Sequence, residues 1–123
     1  MALIPPSGLR DVKGISDTDK ALIKAFMQGA VYSWVKNRQG EKLAVRDLVG
    51  GDNFDWSGTP LQVLYQKHRN AGKDDESAIA AAAIDLGWIV KTVLSEDKRT
   101  FEAGKEAGKV GPVSTYRWIG NEP

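Results

Sequence analysis

The chain has 123 residues, with 17 Lys or Arg against 16 Asp or Glu, one histidine and no cysteine, enough for one hydrophobic core and too few for two substantial domains. The lack of thiols excludes a disulfide framework and cysteine chemistry, and His68 alone cannot build a histidine-rich metal site. The net charge of +1 hides a division: residues 1–40 hold six cations against three acids, residues 41–97 six against ten, and residues 98–120 five against two. Positive ends around a negative middle suit a polyanionic partner at the ends.

Residues 1–16 carry Pro5, Pro6, Gly8 and Gly14 without a sustained period and read as an extended or loosely held arm. They lack the basic stretch and apolar run of a secretion signal, and no later segment reads as apolar over a bilayer-spanning length, so a soluble cytoplasmic protein without membrane contact is expected. From Thr18 the pattern is helical. Ile23, Phe26, Met27, Ala30, Val31, Trp34 and Val35 recur at three- and four-residue steps, Ser16 or Asp17 can cap the start, and Gly40 lies past the end.

Leu43 and Val45 alternate with Lys42 and Ala44, which predicts a short strand with room for one helical turn at residues 46–49. After the loop "GDNFDWSG", Thr59-Pro60-Leu61-Gln62 combines a capping threonine, a first-turn proline and a glutamine that can return the cap, so a second helix is expected from Pro60. It runs through Leu61, Leu64, Tyr65 and His68 to Gly72. Asp74 or Asp75 then caps a third helix with Ile79, Ala82, Leu86, Ile89 and Val93 inward, and Ala81, Asp85, Trp88 and Thr92 outward. "RTFEAGKEAGKVGPVSTYRWIG" follows as two extended runs around a glycine-rich loop, with Tyr116 and Trp118 on one face of the second.

Helix, short strand, helix, tight turn, helix and hairpin is the element order of a winged helix. From Leu61 to Ile119 the chain resembles that class: "LQVLYQKHRNAG" looks like its penultimate helix, "AAAIDLGWIVKTVL" like a recognition-type helix, and the last runs like the wing. It is particularly similar to the winged domains that end some phage and plasmid replication proteins. The resemblance implies a mainly α fold with a small β-sheet, a winged helix-turn-helix of three helices, a short strand and a C-terminal wing. It places an arm at 1–16, one domain at 17–120 and a tail at 121–123, and it carries no catalytic residue.

A wing of this kind puts Lys105 and Lys109 at its tip and Lys98, Arg99 and Arg117 on or beside its strands, where they could meet phosphates, while Lys91 and Thr92 of the third helix could also reach DNA. Asp74, Asp75 and Glu76 oppose insertion of that helix into a groove, although acids also suit a helix N-terminus. Phe54, Trp56 and Trp88 are candidates for a protein interface, with core packing as the plainer role for each.

Asn53, Asp55, Ser57 and Gly58 match the start of a calcium loop, but position twelve is Leu64 where a carboxylate is needed, so no metal is expected. His68 reads as structural, no serine sits in a nucleophile elbow and no phosphate loop is present. Neither an enzyme nor a cofactor is expected. The first reading is a non-enzymatic winged-helix protein that binds double-stranded DNA, as a homodimer because one small module grips little DNA. The alternative is a winged-helix module whose partner is a protein, using Phe54, Trp56, Trp88 and the acidic turn.

Overall fold

A computed structural model describes residues 9–38, 40–50, 55–107 and 112–119. The chain is mainly helical, with one antiparallel hairpin at its C-terminal end. In order it forms α1 (Asp17–Asn37), α2 (Val45–Val49), α3 (Gln62–Asn70), α4 (Asp75–Glu96), β1 (Phe101–Ala107) and β2 (Pro112–Trp118).

Local chemistry sets most of these limits. The Ser16 hydroxyl accepts the Asp19 N–H at 3.0 Å, which satisfies one of the free donors at the start of α1. At the head of α4 the Asp74 carboxylate accepts the Ser77 N–H at 2.8 Å, and this bond to the ionised form holds its pKa below the ordinary carboxylate range. Helix α3 closes where Gly72 takes φ +95°, so that the Lys73 N–H reaches back to the His68 carbonyl at 3.1 Å. It opens later than expected. Thr59 accepts from the Leu61 N–H at 3.1 Å and donates to the Trp56 carbonyl at 2.8 Å, so residues 59–61 form a separate turn and the helix begins at Gln62.

The core is one cluster. Ile23, Met27, Val31 and Val35 form a single stripe on α1 at four-residue spacing. Helix α4 buries Ala78, Ala82, Leu86, Ile89, Val90, Val93 and Leu94. Trp56, Leu61, Leu64, Phe101, Tyr116 and Trp118 join the same cluster. The hairpin register runs from Phe101 opposite Trp118 to Ala107 opposite Pro112. Its buried end is anchored on the other side by Leu43, whose N–H donates to the Tyr116 carbonyl at 2.7 Å while the Tyr116 N–H donates to the Leu43 carbonyl at 2.8 Å.

That two-way bridge is all that forms of the short strand expected at 42–45. The Asp47 carboxylate accepts the Ala44 N–H at 2.8 Å and turns the chain into α2 one residue after the bridge. A second difference concerns α4, which is long and apolar enough to cross a membrane, with a mean hydropathy of 1.6 over its most apolar stretch, where no such segment was expected. Two of the alanines that raise this value serve packing, because Ala78 and Ala82 are fully buried within the fold.

The N-terminal segment also departs from a loose arm. From residue 9 it packs on the body, with Val12 only 5% exposed in the core and Ile15 against it. The Lys67 ammonium donates to the Lys13 carbonyl at 2.6 Å, and Lys20 pairs with Asp11 at 2.6 Å. Gly14 makes this path possible: it sits at φ +85°, and a Cβ there would lie 2.9 Å from Cδ of Lys67. Gly14→Ala should therefore cost about 1–2 kcal/mol from the backbone conformation alone, read as a lower midpoint in urea denaturation. A segment held only loosely would show a change within about 0.5 kcal/mol.

Candidate functional site

Among the described residues, the cations proposed for nucleic-acid contact differ in exposure: Lys98 and Lys105 are exposed, while Arg99 is buried. Arg99 is 6% exposed. Its Nε and Nη2 donate to Asp97 Oδ1 and Oδ2, both at 3.0 Å, and its guanidinium lies 4.7 Å from the Tyr32 ring centre. This corrects the assignment of Arg99 to a phosphate contact, because moving it outward would leave the buried Asp97 carboxylate without its partner. Arg117 is half-buried and donates to Glu102 at 3.0 Å across the hairpin. Lys105 is exposed and donates to Ser114 at 2.9 Å, and the neighbouring Glu106 faces Lys42 at 3.6 Å. Lys98 is exposed. Lys109 lies outside the described residues, as does Phe54.

Lys91 and Thr92 stay beside Trp88. The Lys91 ammonium is 5.2 Å from the indole centre, and the Thr92 hydroxyl donates to the Trp88 carbonyl at 3.2 Å. Arg10 of the N-terminal segment stacks on the same ring at 4.8 Å. Trp88 is thus half-buried between two cations of its own chain, an arrangement that favours both charges. Trp56 is 3% exposed and donates its indole N–H to the Val49 carbonyl at 3.0 Å. It belongs to the core, and a free contact surface is excluded for most of its ring.

Asp85, read as an outward acid, faces α3 instead. Its Oδ2 lies 2.8 Å from the Lys67 ammonium and 2.7 Å from Nε2 of His68, with all three side chains largely covered. Lys67 thereby joins Asp85 on α4 to the Lys13 carbonyl of the N-terminal segment. The single histidine is structural in this arrangement.

What sequence reasoning missed is a groove of about 680 Å³ between α2, the turn at Trp56 and the first half of α4. Its accessible apolar surface comes from Val45, Ile79, Ala80 and Ala83, over a floor formed by the buried Trp56 and Leu86. Asp75 and Glu76 stand at the α4 end, and Arg46 and Gly50 on the α2 side. Asp75 is held there by the Tyr65 hydroxyl, which donates to it; that bond pushes the Tyr65 pKa up. The small side chains Ala80 and Ala83 are exposed along the wall and leave room for incoming groups. Among the described residues no group of three His, Cys, Asp or Glu could hold a metal ion.

No family model, curated protein or solved structure matches the chain.

The Asp97 centre gives a pH signature. Burial pushes its carboxyl up, but hydrogen bonds from Arg99 and from Gln28 at 2.6 Å outweigh this and hold the pKa below 3.8. A lowered folded pKa means stability that is present above the unfolded value and lost as pH falls through the folded one. The melting temperature of the protein should therefore drop below about pH 4. Asp97→Asn should be less stable at neutral pH by about 3 kcal/mol, because Arg99 stays buried without its counter-charge, and its acid dependence should be shallower. Thermal melts from neutral to strongly acid pH test both statements.

Proposed function

We propose that this chain is a non-enzymatic protein-interaction module of winged-helix type, working in the cytoplasm, whose α2–α4 groove takes an apolar segment of a partner with a basic flank. The groove carries this reading. It combines an apolar lining with carboxylates at one end, and a helix laid in such a groove presents large apolar side chains at three- and four-residue steps. Asp75 and Glu76 favour Lys or Arg at the matching end of that helix. The winged-helix description draws on the element order and on the bridge from Leu43 to the second strand of the hairpin.

A second reading keeps double-stranded DNA as the partner. Its support is the hairpin end, exposed from Gly104 to Ala107, which carries Lys105 away from the core. Acids at the start of α4, and the pairing of Arg117 with Glu102 and of Arg99 with Asp97, leave less free positive charge for phosphates.

Isotope-labelled protein titrated separately with a designed Leu/Lys amphipathic helical peptide and with duplex DNA at low salt separates the two. The first reading expects peptide-induced amide shifts at residues 76–86 and about tenfold weaker binding in Ala83→Arg, a change that keeps a strong helix former at an exposed position. Shifts confined to residues 102–107 with DNA, with none in the groove from peptide, would reverse the ranking.

A further inference from the structure

Helix α1 has a second face that the described residues leave largely exposed, with only Arg99 stacked against its Tyr32. Opposite its buried stripe, Leu22, Ala25, Phe26, Gly29, Tyr32 and Ser33 share one side of the helix at 100° per residue, and all six are exposed. Leu22 is 52% exposed, Phe26 39% and Tyr32 48%. No charged residue falls on this side between Asp19 at one end and Lys36 at the other.

Gly29 lies at its middle. Glycine is the poorest helix former after proline, and nothing within this chain requires it here: its φ is not positive, and an added Cβ would meet no atom within 4 Å. What it permits is the close approach of another backbone.

We propose that this face pairs with a second copy of the chain, the two α1 helices lying antiparallel about a two-fold axis level with Met27. Ala25 then meets the partner subunit's Gly29, and Leu22 meets the partner subunit's Tyr32, each contact occurring twice. The ends decide the direction. Asp19 in the acidic first turn comes against Lys36 in the basic last turn of the partner subunit. A parallel pair would set like charges together at both ends and align the helix dipoles unfavourably. The groove between α2 and α4 contains no α1 residue, so this inference does not rest on the groove reading.

A helix of this length offers a strip about 30 Å long and about 10 Å wide, less than the roughly 800 Å² per partner of a standard interface. The dimer is accordingly weak and reversible. Sedimentation of the full chain from about 10 μM to about 1 mM should show a rising dimer fraction. Gly29→Arg should weaken association about tenfold or more while the melting temperature of the dilute protein stays level or rises, since the substitution improves helix propensity. Asp19→Lys and Lys36→Asp should each weaken the dimer, and the double exchange should restore it by reversing both partners of the pair. A monomer throughout the range, a dimer indifferent to Gly29→Arg, or no recovery in the double variant would each overturn the proposal.

Discussion

Packing against α4 is the constraint on which the other elements depend. Leu86 and Val90 are fully buried, as are Ala78 and Ala82, so α4 meets its neighbours through side chains of very different size. Large residues fill space and alanines bring backbones close, which is how a small chain reaches interior density with little apolar volume. Helix α1 supplies one buried stripe, α3 supplies Leu64, and the N-terminal segment contributes Val12. The hairpin joins the same core through Phe101, Tyr116 and Trp118, since two strands alone are at best marginally stable in water.

Charge is organised as local pairs around this core. Asp11 faces Lys20, Lys24 faces Glu96, Lys67 and His68 share Asp85, Arg99 lies on Asp97 and Arg117 on Glu102. The solvent-exposed pairs among these contribute little stability, about 0–1 kcal/mol each, whereas Lys67, His68 and Asp85 are largely covered. The larger effect of the pairs is to weaken the field of each paired cation near its own acid, so a count of Lys and Arg in a stretch of sequence overstates the positive charge it offers. The buried pair differs. Arg99 and Asp97, with Gln28 and Tyr32, tie α1 to the junction between α4 and β1.

With charge balanced locally, apolar surface carries the functional argument. The groove beside α4 and the outer side of α1 are each bordered by charges, and exposed apolar surface of this kind is where interaction sites are sought. They are separate: one is concave and asymmetric, the other convex and reversed in charge end to end. The proposed occupant of the first is a different chain, and that of the second is a copy of this one.

The existence and type of the long elements followed from the sequence alone. The i, i+4 apolar stripe of α1, the Asp74 cap, the left-handed Gly72 and the two-residue alternation of the hairpin are local features, and local backbone chemistry is enough to specify them. Single positions were less legible where two elements compete for them. Asp47 cut the strand expected at 42–45 to one bridge, while the helical turn allowed at 46–49 formed as α2, and the turn at Thr59 delayed α3. Only the tertiary structure decided which charges are free, because Arg99, Asp85 and Lys67 find partners on other elements or across a turn that composition does not reveal. It also decided that Trp56 is core and that a groove opens beside it, since both depend on how α2 sits against α4, a long-range packing that no window of sequence contains.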